Sequence, residues 1–281
     1  TNLLDGHMKI AAWRETGSLI GICVAAVAPS LLMLWSNAPM LNFSLGFAVL
    51  GLLAIWVMRC EWTVPTRRVP SNFKLIWQDQ PARRLLILAF INALPVAVSS
   101  SLLLFFVTHR LQATAWAGAL LLLFFLSAAS SAPIWAALAR RFGTRRALLF
   151  AMGLAIIIFA TAGFLRAGDV SLFALVCVIS GASIGADLTL MPAAFAQRLG
   201  IIAPNGAQGF GLWSLMNKLT LALAAIALFP VLELAGFDAT AAEQTGQALL
   251  TLTLLYAVCP LFLKLVAILL LIKTPLQDDQ I

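Results

Sequence analysis

Long apolar runs alternate with short polar breaks along most of the chain. Eight such runs lie at 17–35, 41–58, 85–107, 112–138, 147–165, 170–196, 209–232 and 248–272. An α-helix needs about 20 apolar residues to cross the hydrocarbon core of a bilayer, which is about 30 Å thick. A membrane β-barrel would instead show segments of about ten residues with alternating hydrophobicity. The pattern therefore predicts about eight transmembrane helices.

Composition indicates the same class of protein. Of the 281 residues, 62% are hydrophobic and only 10% are charged, whereas a soluble domain has about 25% charged residues. Soluble enzymes, disordered tails and disulfide-rich scaffolds are therefore excluded. The cysteines are widely spaced and form neither a metal-ligand pattern nor a disulfide pattern. We expect an all-α integral membrane protein whose surroundings are the lipid bilayer.

Lysine and arginine are distributed unequally between the two sides of the predicted bundle. Of the 18 basic residues, 14 fall on one side, and only Arg110 and Arg166 lie on the other. Cytoplasmic loops of membrane proteins carry such an excess of Lys and Arg. The distribution predicts that both chain ends and the 59–84 loop are cytoplasmic. The net charge of +7 then reflects topology, and no nucleic-acid partner is expected.

The 59–84 loop divides the predicted helices into two before it and six after it. Because residues 1–16 are typical of a cytoplasmic loop that leads directly into a helix, we interpret the chain as the later part of a longer protein. Residues 1–58 would be the remnant of an N-terminal six-helix half, and 85–281 the C-terminal six-helix half. Within the loop, 70–77 is either a short interfacial helix or a plain linker.

Two charged residues lie near the middle of predicted membrane spans, where a charge is energetically costly. Asp187 lies near the middle of run 170–196, and Lys218 lies near the middle of run 209–232. A charge at a helix centre costs about 2.5–3.5 kcal/mol, so such groups face a bundle interior or a water-filled path and are often paired. The two helices run antiparallel and place both residues at similar depth. We predict an Asp187–Lys218 pair that lines a cavity, and the alternative is a pair that only fixes helix packing.

Other polar residues lie in the same predicted helices. Lys264, a few residues inside the cytoplasmic half of the last run, is expected to extend its side chain to the cytoplasmic interface. Asn92 offers a neutral hydrogen-bonding group for a hydroxylated ligand. Asn217 and Trp213 lie within about one helical turn of Lys218. Trp213 is a candidate for stacking on a sugar ring, although tryptophan is also a common interfacial anchor.

Sequence motifs for chemistry and for ATP hydrolysis are missing. The chain contains no GxxxxGK[ST], HExxH or GxSxG motif, and these motifs accompany nucleotide-driven motion, zinc hydrolysis and serine hydrolysis. We therefore expect no enzyme and no cofactor. Transport driven by an ion gradient is the favoured class.

One predicted cytoplasmic break resembles the basic loop that major facilitator transporters repeat in each half. It reads Ala139-Arg140-Arg141-Phe142-Gly143-Thr144-Arg145-Arg146. The resemblance implies a gating role for Arg140, Arg141, Gly143, Arg145 and Arg146. One departure is that Arg140 occupies the position at which the family loop carries an acidic residue.

Three stretches resemble the glycoside–pentoside–hexuronide:cation symporters, the group that includes melibiose permease. They are Trp13-Arg14-Glu15 leading to Gly21 and Pro29, Gly181-Ala-Ser-Ile-Gly185 leading to Met191-Pro192-Ala193, and Gly209-Phe-Gly-Leu-Trp-Ser-Leu-Met-Asn-Lys218-Leu. The last is the most specific, since these symporters carry a lysine near the sugar site in the penultimate helix. The acidic residue that often follows the second stretch is replaced here by Gln197 or Arg198.

The resemblance implies that the eight runs are similar to helices five to twelve of a twelve-helix protein. The first four helices would then be partners that this chain lacks. In the melibiose permease group they carry most of the acidic cation ligands and much of the sugar contact. The candidate substrate-binding residues of this chain are Lys218, Asp187, Trp213, Asn217 and Asn92.

The function implied by the resemblance is symport of a sugar, glycoside or similar small polar solute with Na⁺ or H⁺, by alternating access. The expected location is the bacterial cytoplasmic (inner) membrane. A second interpretation is transport of a lysolipid-like or amphiphilic solute. A third is a receptor or assembly protein that keeps the fold without transporting.

Overall fold

A computed structural model of the chain describes residues 35–60, 73–202, 207–239, 241 and 243–274, together with 17–18, 20–25, 28 and 32. The described residues therefore cover the predicted first span only in part, and they leave out the Trp13-Arg14-Glu15 stretch and residues 61–72 of the 59–84 loop. Within the described residues, seven helices are long and apolar enough to cross a membrane. The prediction of an all-α membrane protein is confirmed.

The described part contains nine α-helices, which we number in chain order. They are α1 (Pro39–Met58), α2 (Phe73–Gln78), α3 (Gln80–Phe105), α4 (Ala117–Phe142), α5 (Thr144–Ala162), α6 (Val170–Ile202), α7 (Ala207–Leu234), α8 (Gly246–Thr253) and α9 (Cys259–Lys273). A π-helical turn, Phe106–Arg110, extends α3, and a second, Leu254–Val258, joins α8 to α9. A 3₁₀ turn, Thr114–Trp116, precedes α4.

The helix ends follow from local chemistry. Asp79 caps α3 by accepting a hydrogen bond from the Ala82 N–H at 2.8 Å. Gly143 joins α4 to α5 with a φ of 89°, a conformation that glycine adopts without the steric cost of a side chain. Gly168 has a φ of 90° in the short connection between α5 and α6. That connection lies between the predicted spans 147–165 and 170–196, which have little polar sequence between them.

Helices α4 and α6 pack together along most of their length. A Cβ on Gly181 would come within 2.3 Å of the Phe124 carbonyl oxygen, so glycine is required at this contact. Two side chains of α4 also bond across the contact to backbone of α6. The Trp135 indole N–H and the Ser131 hydroxyl donate to the Ala182 carbonyl at 2.7 and 3.0 Å. The small residues of α6 therefore serve close helix packing.

Two apolar clusters fill the bundle, one towards each end. One is centred on Phe106, Phe173 and Tyr256, with the rings of Phe106 and Tyr256 stacked at a centroid distance of 4.2 Å. The other includes Leu86 and Phe195. In α3, α6 and α9, buried polar side chains lie at the boundary between the two clusters. This boundary forms a polar layer inside an otherwise apolar bundle.

Helix α1 lies apart from this core, whereas the short helix α2 contacts it. None of the residues of α1 is buried. The short helix α2 confirms an ordered helix within the predicted 70–77 segment. Its Ile76 is only 2% exposed and packs into the bundle, whereas Phe73 and Trp77 are half exposed. The apolar side chains of α2 are therefore divided between the protein core and the surface.

Candidate functional site

A cavity of about 610 Å³ lies between α3, α6 and α7. This volume is within the range of about 300–1,000 Å³ that small-molecule sites occupy. Its polar lining comes from Asn92 on α3, Asp187 on α6, and Trp213, Ser214, Asn217, Lys218 and Thr220 on α7. The rest of the wall is mainly aliphatic. The structure thus brings all five predicted substrate-binding residues to the wall of one cavity.

Asp187 is paired with Lys264 rather than with Lys218. Its Oδ2 lies 2.5 Å from the Lys264 Nζ, and both side chains are buried. Lys218 lines the same cavity but forms no ion pair with Asp187, so the predicted Asp187–Lys218 pair is wrong. A lysine at the same depth in the membrane as Asp187 is not necessarily the one that reaches it. Here Lys264 on α9 is the partner of Asp187.

The prediction that Lys264 reaches the interface is also wrong, because this residue is only 5% exposed. Lys264 stands nine residues before Lys273, where α9 ends. Nine helical residues rise by about 13.5 Å, which is more than a lysine side chain spans. This spacing was a signal in the sequence that Lys264 would stay inside the bundle.

Asn92 completes a polar cluster that joins three helices. Its Oδ1 accepts a hydrogen bond from the Lys264 Nζ at 2.7 Å. Its Nδ2 lies 3.2 Å from the Met191 sulfur, a weak acceptor. The amide of Asn92 therefore holds the lysine as well as lining the cavity. The cluster of Asn92, Asp187 and Lys264 ties α3, α6 and α9 together at the polar layer.

The second carboxylate oxygen of Asp187 is free of such contacts. Asp187 is 8% exposed, and its Oδ1 has no hydrogen-bond partner among the described residues. Burying an unsatisfied acceptor costs about 1–3 kcal/mol, and more for a charged group. Asp187 lines the cavity as a residue, but its Oδ1 is itself buried and has no partner among the described residues.

Helix α7 forms the wall on which Lys218 stands. The Trp213 ring is buried and stacks on Phe195 at a centroid distance of 5.2 Å, which excludes a role as an interfacial anchor. The Asn217 Nδ2 donates to the Trp213 carbonyl at 3.1 Å. Lys218 itself is exposed in the described part of the chain. Its ammonium is the charged group of α7 that a solute in the cavity would meet.

The end of the bundle that carries Arg145, Arg198 and Lys273, here called the basic end, has its own contacts. Arg198 on α6 forms a two-point pair with Asp79, with Nε to Oδ1 at 2.9 Å and Nη2 to Oδ2 at 2.5 Å. The side-chain hydrogen bonds from Arg198 lower the pKa of the Asp79 carboxyl. The Ala82 N–H and the Arg198 charge lower it further, while burial opposes them.

The predicted gating loop lies at the basic end as well. The Arg145 guanidinium donates to the Thr274 carbonyl beyond α9, and the Arg141 guanidinium lies 5.3 Å from the centre of the Phe142 ring. Sequence reasoning identified Arg198 only as a departure from the family pattern and missed its partner Asp79. An ion pair between α6 and the residue that caps α3 therefore joins these helices at the basic end.

The comparison with known proteins agrees with this architecture. A family model described as "MFS/sugar transport protein" matches residues 1–278. No curated protein matches the chain significantly. The match covers nearly the whole sequence, including the membrane helices and the cavity described above. The chain therefore belongs to the MFS/sugar transport protein family of the major facilitator superfamily.

Proposed function

We propose that this protein is a secondary active transporter that moves a sugar, glycoside or similar small polar solute together with Na⁺ or H⁺. The observation that carries the proposal is the cavity of about 610 Å³, whose wall includes Lys218 and Asp187. Family membership supports transport rather than catalysis. The site would be at the bilayer midplane, where transporters of this type bind solute and alternate their access.

The polar groups of the wall suit a hydroxylated solute. Lys218 and Ser214 offer donors, and Asp187 offers an acceptor. The apolar remainder of the wall suits the C–H faces of a sugar ring. We propose Asn92, Asp187, Trp213, Asn217 and Lys218 as the substrate-binding set, with Asn92 acting partly through Lys264.

The charge of Lys218 favours a second candidate solute. Because Lys264 neutralises Asp187, the Lys218 ammonium is left as the excess charge on the described wall. An amphiphilic anion, such as a lysolipid with its headgroup phosphate on Lys218 and its tail on the aliphatic wall, fits that balance. A receptor or assembly protein that keeps the fold is the third candidate, and it would bind solute without moving it.

We propose that residues 85–281 form one six-helix half, that 59–84 form the central loop and that 1–58 belong to the opposite half. Lys218 lines the open side of the cavity, where the opposite half of a major facilitator transporter stands. Rocking of the two halves would expose the cavity to each side in turn. Localisation in the bacterial inner membrane, with both ends cytoplasmic, is part of the same proposal.

The test is uptake by proteoliposomes that contain the full-length protein under an imposed Na⁺ or H⁺ gradient. We expect accumulation of radiolabelled melibiose in the wild type and its loss in Lys218→Ala, because the solute loses its principal donor. Lys273→Ala removes a lysine outside the cavity and is the matched control. Accumulation of lysophosphatidylglycerol instead of melibiose would select the amphiphilic candidate, and unchanged uptake by Lys218→Ala would contradict the site.

A further inference from the structure

Helix α2 turns one of its four apolar side chains into the bundle and leaves the others outside it. Ile76 is 2% exposed, whereas Phe73, Leu75 and Trp77 are 46–51% exposed. Phe73 and Trp77 are four residues apart and therefore lie on the same face of the helix. Apolar surface of this kind outside a core marks a contact with another protein or with a membrane.

Basic side chains lie beside these apolar ones. Lys74 is exposed and stands three residues, or less than one helical turn, before Trp77. The Arg83 guanidinium lies 3.5 Å from the Trp77 carbonyl oxygen, at the outer limit of a hydrogen bond. This long bond uses little of the donor capacity of a guanidinium, which has five N–H groups. The surface of α2 therefore combines large apolar side chains with two cations.

The basic end as a whole carries an excess of positive charge. Asp79 is the acidic side chain that the described residues place there, and Arg198 already holds it in an ion pair. The exposed basic side chains of this end include Lys74, Arg84, Arg140, Arg141, Arg146 and Lys273. Such clusters attract the anionic headgroups of phospholipids, and the attraction falls off within a Debye length. A negatively charged partner is therefore favoured at α2.

An aromatic ring beside an arginine recurs where other helices end. The Arg141 guanidinium lies 5.3 Å from the centre of the Phe142 ring at the end of α4. The Arg59 guanidinium lies 4.9 Å from the centre of the Trp56 ring, where the chain leaves α1. Tryptophan concentrates at the level of lipid headgroups, and a guanidinium binds phosphate through parallel hydrogen bonds. These pairs favour a lipid partner for α2 over a soluble one.

We propose that α2 docks on the membrane surface and binds an anionic phospholipid. Lys74 and Arg83 bind the headgroup phosphate, while Phe73 and Trp77 enter the acyl chains beside it, as in other interfacial helices. The inference goes beyond solute transport, because it assigns a second partner at a surface that does not line the cavity. A zwitterionic headgroup carries its own cation beside the phosphate and binds less tightly.

Docking of α2 would steady one wall of the cavity. Helix α2 packs against α6 and α7 as well as α3. Ile76 belongs to the same apolar cluster as Leu199 on α6 and Trp213 on α7, and Trp213 lines the cavity. A lipid that fixes α2 would therefore restrict the first turns of α7, on which the cavity depends.

The first test locates α2 relative to the bilayer. Nitroxide labels are attached to Phe73→Cys or Gln78→Cys in the full-length protein without native cysteines, in lipid nanodiscs. We expect the label at 73 to meet O₂ more readily than a water-soluble nickel complex, because O₂ concentrates among acyl chains. The label at 78, at an exposed polar position, is the matched control and should show the reverse. A preference for nickel at both positions, or a label at 73 that neither reagent reaches, would overturn the proposal.

The second test measures lipid selectivity. Dioctanoyl phosphatidylglycerol, dioctanoyl phosphatidylcholine and inorganic phosphate are titrated separately into the detergent-solubilised full-length protein, and binding is followed by microscale thermophoresis. Lys74→Ala/Arg83→Ala should weaken phosphatidylglycerol binding by roughly 25-fold, about fivefold for each basic residue at an anionic lipid. Arg84→Ala/Lys273→Ala removes two other exposed cations of the basic end, and Arg84 is turned towards the Lys273 carbonyl at 3.3 Å. This control should keep nearly the wild-type affinity.

Three results of this titration would overturn the lipid site. Equal losses in the two double variants would mean diffuse attraction to charge. Phosphatidylcholine bound as tightly as phosphatidylglycerol would mean that the cations select nothing. Inorganic phosphate that binds as tightly as the lipid would identify a soluble anion as the partner.

The effect on the cavity wall is measured by hydrogen–deuterium exchange. Backbone amides of 207–216 should exchange several-fold more slowly in nanodiscs with phosphatidylglycerol than in nanodiscs of phosphatidylcholine alone, because exchange reports local opening. Lys74→Ala/Arg83→Ala should remove this difference, and Ile76→Ala should reduce it while phosphatidylglycerol still binds. An equal rate in both lipids for the wild type would overturn the link to the cavity. None of these measurements uses a transported solute, so a failure of melibiose uptake leaves them decisive.

Discussion

At the scale of single residues, the Asp187–Lys264 pair balances two large opposing energies. Removing either charge from water costs several kcal/mol, and a close partner offsets that cost only when the remaining polar atoms are also bonded. Lys264 meets this condition better than Asp187 does, because Asn92 accepts from it at 2.7 Å. The Oδ1 of Asp187 has no such partner among the described residues. The acid is therefore the member of the pair whose polar atoms are less completely bonded.

Replacing Lys264 should show how much the ion pair contributes to stability. Lys264→Met leaves a buried carboxylate without its counter-ion, so we expect the free energy of unfolding to fall by about 3–5 kcal/mol at neutral pH. Adding Asp187→Leu to that variant should recover much of the loss. Chemical unfolding in detergent micelles measures both, with Lys218→Met as the exposed-lysine control. A double variant no more stable than the single one would contradict the assignment of the pair.

At the scale of helices, the Asp79–Arg198 pair joins the start of α3 to α6 at the basic end. The lowered pKa of Asp79 means that its folded form holds the negative charge more firmly than the ordinary value of 3.8 would imply. The pair therefore stabilises the folded state at pH values above 3.8, and this contribution disappears as the pH falls through the lowered pKa.

Asp79→Asn should therefore destabilise the protein in a pH-dependent way. We expect a loss of about 1.5–3 kcal/mol at neutral pH, the range for hydrogen bonds to charged groups. The difference from the wild type should vanish in strong acid, where Asp79 is protonated in both states. Thermal unfolding as a function of pH measures this, with Asp169→Asn as the control at the opposite end. A difference that persists unchanged in acid would show that the cap alone matters.

The close contact between α4 and α6 leads to a second prediction at the scale of helices. Gly181→Ala places a methyl group where the Phe124 carbonyl oxygen would be only 2.3 Å away, so the two backbones must separate. We expect a loss of about 1–3 kcal/mol, as for overpacked cores. Gly153→Ala on α5 is the matched control, since a Cβ there meets no atom within 4 Å. Equal stability of the two variants would contradict the close approach.

The sequence predicts where the helices lie along the chain better than it predicts which side chains meet in space. Seven of the predicted apolar runs correspond to described helices, because the cost of exposing a polar backbone to lipid acts along the chain and leaves a pattern in it. The partner of Asp187 is different. Lys218 and Lys264 both lie within their helices, and nothing in the local pattern tells which of them reaches Asp187. The ion pair depends on how the helices are arranged in three dimensions, which a linear pattern does not encode.

At the scale of the whole molecule, the polar layer lies within one set of packed helices. Asn92, Asp187 and Lys264 belong to α3, α6 and α9, all of which fall in the proposed half 85–281. Rocking of that half as a rigid body leaves their distances unchanged. Rocking alone would therefore leave the Asp187–Lys264 pair intact. The cavity differs from the polar layer in this respect, because its open side faces the position proposed for the opposite half.

The open cavity should be detectable from water. In a variant whose native cysteines are replaced, Ser214→Cys places a thiol on the exposed cavity wall of α7, whereas Ser99→Cys places one at a buried position beside a hollow of only about 20 Å³. A charged, membrane-impermeant thiol reagent should modify the first rapidly and the second slowly, because only the larger space has room for the reagent. Melibiose should slow the modification at position 214 if it occupies the cavity. Equal labelling of both thiols would contradict the difference in size between the two spaces, and an unreactive Ser214→Cys in membranes open on both sides would mean that lipid or protein fills the cavity.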